Sequence, residues 1–198
     1  MKTVVVGGTG LVGNEVAKLL GQEHDVITVG RTSGDMQADI EDKASVEALF
    51  EKIGTVDAII SVAGDGVFGG FDEDGDHAYE RALESKVMGQ VNLTRVGHRY
   101  LNKGGSITLT SGAVAQYPMP NTAAIAIATA GVDAFVRTVA LELADDKRIN
   151  SVSLSLVKES AEKFGMDSTH CVPAAKVAEH YRDVLGSSES GQVVLVQN

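Results

Sequence analysis

The sequence predicts a three-layer α/β fold, in which a mainly parallel sheet carries helices on both faces. Short apolar runs alternate along the chain with segments whose apolar residues recur at helical spacing. The runs are nearly continuous in Val, Ile and Leu, as strands covered on both faces require. Glycine is abundant, at 22 residues against three prolines in a chain of 198, and several glycines sit where an apolar run ends.

Each element follows in order. Residues 3–6 form a valine-rich first strand that runs into Gly7 and Gly8. Residues 11–20 carry Leu11, Val12, Val16, Leu19 and Leu20 at helical spacing, and residues 26–29 form the second strand. Asp42 is a suitable N-cap for a helix over 43–53, whose apolar face is Val46, Leu49, Phe50 and Ile53. Residues 56–60 read as a strand. Asp76 caps a long helix reaching to about residue 101, with Leu83, Val87, Val91 and Thr94 as its inner stripe. A strand over 106–110, a helix over 122–144, a strand over 150–157, a helix over 174–185 and a closing strand over 193–196 complete the pattern. No linker, repeat or low-complexity tract interrupts it, so residues 1–198 are expected to form a single domain.

Composition narrows the function. Hydrophobic residues make up 43% and charged residues 22%, the balance of an ordinary globular chain. Lys plus Arg number 17 and Asp plus Glu 27, a formal net charge of −10. That sign argues against a nucleic-acid partner or an anionic membrane surface. Cys171 is the single cysteine, which rules out an internal disulfide and a cysteine-rich zinc site, and no metal is expected. The opening apolar run breaks at Gly7, too early for a signal-peptide core. Residues 104–132 carry no charge, but Gln116, Pro118, Pro120 and Asn121 break the stretch, so a buried helix is expected rather than a membrane span. A cytoplasmic location follows as the expectation. The acidic segment 72–76 reads as a solvated loop, because its glycine falls too early for a calcium loop.

Gly8-Thr9-Gly10-Leu11-Val12-Gly13 fits G-x-G-x-x-G, and Gly7, Gly10 and Gly13 fit G-x-x-G-x-x-G. The pattern follows the first strand and opens the first helix, the context in which glycines let the backbone approach a pyrophosphate at a helix N-terminus. The second strand ends in Gly30-Arg31-Thr32-Ser33, where an NAD site usually carries an acidic residue. A guanidinium there clamps a 2′-phosphate through parallel charge-assisted hydrogen bonds, with hydroxyls from Thr32 and Ser33 beside it, so NADP(H) is the expected cofactor.

On these residues the chain resembles the short-chain dehydrogenase/reductase family over nearly its whole length. The glycine turn resembles the family's TGxxGxxG, with Val6 in place of the threonine. Asp39 and Ile40 resemble the acidic-aliphatic pair that contacts adenine. Residues 57–64, ending in Ala63-Gly64, resemble the segment closing in Asn-Asn-Ala-Gly, with both asparagines replaced. Residues 107–111 resemble the strand ending in the catalytic serine; residues 137–143, 148–150 and 190–192 resemble the family's late helix and the approaches to its last strands. The resemblance implies a doubly wound, Rossmann-like sheet of strand order 3-2-1-4-5-6-7. It also implies NAD(P)-dependent carbonyl or alcohol redox chemistry on a small-molecule substrate that the sequence does not name. Pairing through the two long helices, as a homodimer or homotetramer, is implied as well.

The reactive residues depart from the pattern. The family uses Asn, Ser, Tyr and Lys, and Ser111 fits the serine position. The window for tyrosine, and for lysine four residues later, is 123–129, which holds only Ala, Ile and Thr. No Tyr-x-x-x-Lys occurs anywhere, because Leu83, Gly104, Asn121 and Leu185 stand four after the tyrosines. Lys86 occupies the asparagine position, and Leu154-Ser155 replaces the usual Pro-Gly. Loss of the tyrosine removes a general acid worth about 10²–10⁴-fold. Tyr117, in the loop after the serine strand, either reaches the pocket with Lys86 as a charged neighbour or packs beside Pro118. Lys86 otherwise faces solvent or a carboxylate, and Ser111 otherwise satisfies backbone at a strand end. His170 and Cys171 lie in a shortened covering segment, 159–172, and make no metal site. The sequence therefore reads as an NADP(H)-binding oxidoreductase with Ser111, Tyr117 and Lys86 as candidate catalytic residues. The alternative is a non-catalytic NADP(H)-binding redox sensor or scaffold module.

Overall fold

Val4, Val5 and Val6 are buried on both faces because their strand lies inside a parallel sheet with helices above and below. The computed structural model describes residues 1–66, 68–72, 75–144 and 146–196. The strands are β1 (Lys2–Val6), β2 (Asp25–Gly30), β3 (Met36–Gln37), β4 (Val56–Ser61), β5 (Leu101–Gly112), β6 (Arg148–Leu154) and β7 (Val193–Leu195). They form one sheet in the order β3-β2-β1-β4-β5-β6-β7, parallel throughout. The doubly wound order expected from the sequence is therefore the observed one. The order reverses between β1 and β4, which leaves a crevice at their carboxyl ends.

Helices α1 (Leu11–Leu20) and α2 (Lys43–Ile53) have the predicted bounds. The Asp42 carboxylate accepts from the Ala44 N–H at 2.9 Å, satisfying one of the free donors at the start of α2. One core layer packs Val46, Leu49 and Phe50 of α2 and Leu93, Val132 and Val136 of two later helices against the sheet. The Phe50 ring stacks on Tyr100 at 5.4 Å. The opposite layer packs Val12, Val16 and Leu20 of α1 with Val177, Tyr181 and Val184 near the chain's end.

The long middle helix differs most from expectation. It runs as α3 (Gly75–Arg81), a π-helical segment (Ala82–Met88) and α4 (Gly89–Gly97), and Leu101 already belongs to β5. Asp76 lies in the first turn of α3, inside the helix rather than capping it; of the acidic segment before it, Glu73 and Asp74 lie outside the described residues. The wide turn shifts the inner stripe. Leu83 is 42% exposed, while Ser85, Lys86, Gln90 and Leu93 turn inward. Helix α5 (Ala123–Val139) ends five residues before the predicted stop at 144, and β6 ends at Leu154 rather than 157. Val157 instead bridges to Val172, which closes the base of the covering segment around α6 (Lys158–Lys163) before α7 (Ala174–Gly186). Strand β3 is two residues long and has no apolar run, so periodicity does not mark it.

At its carboxyl end the sheet opens between β4 and β5, whose pairing stops at Ile60 and Thr108. Gln90 fills the opening. Its Oε1 accepts from the Thr110 N–H at 2.8 Å and its Nε2 donates to the Thr110 carbonyl at 2.9 Å, as a neighbouring strand would. On the other face the Thr110 hydroxyl donates to the Ser61 carbonyl. It has no second proton, so at 2.6 Å it must accept from the Tyr181 hydroxyl of α7. Replacing Gln90 by leucine would strand a buried donor and a buried acceptor at about 1–3 kcal/mol each. Gln90→Leu is expected to lower the unfolding free energy by about 3 kcal/mol in urea titrations with little change in slope.

Candidate functional site

The crevice between β1 and β4 opens into a cleft of about 260 Å³. One wall is the turn after β1, with Val6, Gly7, Thr9 and Gly10. The second comes from β2 and β3, with Gly30, Arg31, Ala38, Asp39 and Ile40; the third follows β4, with Val62, Ala63, Gly64 and Asp65, and Ser85 closes the cleft.

Two glycines make the turn possible. Gly7 has φ +81°, a conformation side chains resist, and a Cβ on it would lie 2.8 Å from the Val62 carbonyl carbon. A Cβ on Gly13 would lie 2.0 Å from the Gly7 carbonyl oxygen, so α1 packs directly on the turn. Gly10 is the N-cap, with no side-chain cap. The first N–H groups of α1 are thus left for a ligand beside the cleft, where the helix dipole favours an anion.

The other predicted binding residues divide by position. Thr9, Arg31, Asp39, Ile40, Ala63 and Gly64 line the cleft. Leu11, Val12 and Gly13 do not line it: Val12 packs into the core, and Leu11 is exposed at the start of α1. Thr32 and Ser33 are exposed in the β2–β3 turn, outside the lining. Reasoning from motifs missed Asp65 and Ser85, which reach the cleft only through the tertiary fold; the Ser85 hydroxyl accepts from the Asp65 N–H at 3.0 Å.

Five charged side chains, Arg31, Asp39, Glu41, Arg81 and Asp65, surround the cleft mouth. Arg31 donates to Glu41 at 3.1 Å and lies 3.8 Å from Asp39. Arg81 bonds the second Glu41 oxygen at 2.6 Å and Asp65 at 2.7 Å. The Arg81 hydrogen bond is the main reason the Glu41 carboxyl sits below its usual range.

The three candidate catalytic residues do not form one cluster. Lys86 is 8% exposed in the π-helical segment, its stem lying against Gly64. Burial pushes its ammonium down to about 8, against a smaller upward pull from Asp65. Ser111 is the penultimate residue of β5, buried, opposite Ser153. Tyr117 is 59% exposed beyond a short 3₁₀ turn, joined to neither. Lys86 and Ser111 are linked indirectly, since Gln90 donates to the Lys86 carbonyl at 2.9 Å while gripping Thr110, next to Ser111. In the window where the family carries its tyrosine and lysine, Ile125 packs tightly on Gly66 and Thr129 on Gly112.

Behind Ser111 lies a group no motif announced. Asp133 of α5 is buried and receives a 3.3 Å hydrogen bond from Ser151. Burial is the main influence on its carboxyl and pushes it up; Ser111, Arg137, Ser151 and Gln116 oppose the shift. Ser111 Oγ faces this carboxyl without closing a hydrogen bond of ordinary length. Burial thus favours the neutral form of the Asp133 carboxyl beside the Ser111 hydroxyl. Among the described residues no cluster of metal-binding side chains occurs, and no helix is long and apolar enough to cross a membrane.

Comparison with known proteins accords with this architecture. A family model described as enoyl-(acyl carrier protein) reductase matches residues 11–196. Tetrahydroxynaphthalene reductase of Pestalotiopsis fici is 31% identical over 166 residues, 79% of this chain and 60% of that protein. Versicolorin reductase of Emericella nidulans is 30% identical over 135 residues, 65% of this chain and 51% of that one. The chain thus spans only about half to three fifths of these relatives. Among solved structures, the protein lin1944 from Listeria innocua superposes with a TM-score of 0.94 at 35% identity over 99% of both chains. A small-chain dehydrogenase in complex with NADPH superposes at 0.90, with 32% identity over 100% of this chain and 96% of that one.

Lys86 gives the site a pH signature. Between about 8 and its ordinary 10.5, the unfolded chain holds the Lys86 proton and the folded chain releases it. Stability therefore rises with pH across that window, and the full cost of the buried charge is felt below it. In the free protein, Lys86→Met is expected to unfold at higher denaturant than wild type at pH 7, by up to about 3 kcal/mol. The difference should fade toward pH 10.5 in paired chemical-denaturation curves.

Proposed function

The chain belongs to the short-chain dehydrogenase/reductase family, and on that premise we propose that it binds NADP(H) and acts as an oxidoreductase with an altered set of catalytic residues. The observation that carries the reading is Arg31 at the mouth of a cleft walled by the Gly7–Gly10 turn. The residues fit the dinucleotide: Gly7, Thr9 and Gly10 would take its pyrophosphate, Asp39 and Ile40 its adenosine, and Arg31 its 2′-phosphate. When bound, the nicotinamide supplies the hydride. Ala63 and Gly64 border the path toward it, and Lys86 adds a buried cation behind Gly64.

On this chain, Ser111 would orient a substrate oxygen through its hydroxyl, with the buried Asp133 behind it. Tyr117 enters the chemistry only if its loop closes inward from its exposed position. The packing of Ile125 and Thr129 in the family's tyrosine and lysine window supports the second reading, a non-catalytic NADP(H)-binding sensor or scaffold. Under either reading residues 1–198 act as one domain. The exposed Leu83, Met88 and Ile127 on the long helices support self-association, as a homodimer or homotetramer. A lone cysteine suits a reducing, cytoplasmic setting.

Arg31→Ala is expected to weaken NADPH about 10–100-fold by calorimetry and leave NADH unchanged. Equal NADPH affinity in the two proteins would sink the clamp. With NADPH and a panel of carbonyls and quinones, Ser111→Ala is expected to lower kcat/KM about 10–100-fold, and Tyr117→Phe far less. Tight NADPH binding without turnover would favour the sensor; turnover unaffected by either change would reject the proposed site.

A further inference from the structure

We propose that Glu41 and Arg81 together set the selectivity for the 2′-phosphate, Glu41 competing with it for Arg31 and Arg81 holding that competitor back. The inference rests on the NADP(H) reading and adds residues that no binding motif includes.

The geometry is a chain of alternating charges, Arg31–Glu41–Arg81–Asp65, along one side of the cleft. Arg31 is 56% exposed, and its hydrogen-bonded anion is a single Glu41 oxygen at 3.1 Å. The other Glu41 oxygen is held more closely by Arg81, at 2.6 Å. Glu41 has little freedom to withdraw. Its backbone N–H donates to Asp39 at 3.0 Å, and Asn92 donates to the carbonyls of Ile40 and Glu41 at 3.1 and 3.3 Å. Arg81 is fixed in turn, because its other nitrogen bonds Asp65 at 2.7 Å and the Ser85 hydroxyl at 3.4 Å. Asp65 and Ser85 line the cleft, so the guanidinium ties the loop after β3 to the loop after β4.

A carboxylate and a phosphate seek the same planar fork of donors. Glu41 therefore repels an incoming 2′-phosphate and occupies part of its receptor. While Arg81 shares the carboxylate, Arg31 keeps most of its fork free. Without Arg81, Glu41 would turn wholly to Arg31. NADH carries no 2′-phosphate and is indifferent to this contest.

The test compares NADPH, NADH, 2′,5′-ADP and 5′-ADP binding by calorimetry at fixed salt. Glu41→Gln is expected to tighten NADPH and 2′,5′-ADP about 5-fold and leave NADH and 5′-ADP unchanged. Arg81→Met is expected to weaken the same two ligands about 5-fold. The double variant should recover at least wild-type affinity, because the competitor is gone. Arg81→Lys, which keeps one charge on Glu41, should fall between wild type and Arg81→Met. Thermal unfolding of each variant identifies any that fail to fold. An unchanged NADPH-to-NADH ratio in Glu41→Gln overturns the inference, as does equal weakening of both cofactors in Arg81→Met or no recovery in the double variant. If Arg31→Ala leaves NADPH binding intact, the clamp itself is wrong. If Arg31→Ala weakens NADPH while Glu41→Gln does not tighten it, only the role of Glu41 and Arg81 fails.

Discussion

Thr110 has no strand beside it on the β4 side, and the carboxyl end of the sheet depends on how that gap is filled. A buried N–H and C=O left without partners there would oppose the ordering of β5 just where it delivers Ser111. The Gln90 amide supplies both bonds and also grips the Lys86 carbonyl. Tyr181 anchors the same residue from the opposite layer through the Thr110 hydroxyl. A few hydrogen bonds thus fix the two buried candidate groups, Lys86 and Ser111, which never touch.

Net charge is a poor guide to the cleft. The chain is acidic overall, at −10, yet Arg31 lines the cleft and Arg81 and Lys86 lie beside it, among Asp39, Glu41 and Asp65. Each is managed differently. Arg31 remains half in water, Arg81 is saturated by carboxylates, and Lys86 is withdrawn from solvent and loosened from its proton. Cations set among carboxylates can meet a small anion singly, whereas a polyanion would meet the whole negative field.

What the sequence made legible was what depends on neighbours along the chain. The glycine turn, the capped α2 and the period of α1 follow from local spacing, and their predicted bounds match. Strand β3 escaped because two residues carry no period, although Asp39 and Ile40 beyond it were picked out by resemblance. A regular 3.6-residue repeat does not register the π-helical segment, so it places Leu83 inside the stripe and Lys86 outside, although Thr94 is buried as the repeat requires. Asp133, Gln90, Arg81 and Glu41 could not be found this way, since the contacts Asp133–Ser151, Gln90–Thr110 and Arg81–Glu41 join residues 18 or more apart. The one hint for Asp133 is that it is the first charge after the long uncharged stretch, at a position facing the serines of β6.

The π-helical Ala82–Met88 segment makes the helix a phase converter. Its wide turn accommodates about one more residue than an α-helical turn, which rotates all that follows by roughly 100° relative to a regular helix. Upstream of it Arg81 addresses Glu41, beyond β3 at the cleft mouth; downstream Gln90 addresses β5. Between them, Ser85 and Lys86 are adjacent in sequence and both face inward, one lining the cleft and the other lying behind Gly64. Loss of a single residue here would leave the composition almost untouched and uncouple the two ends. In this chain the length of that turn, and not only the identity of its side chains, sets which residues reach the cleft and which reach β5.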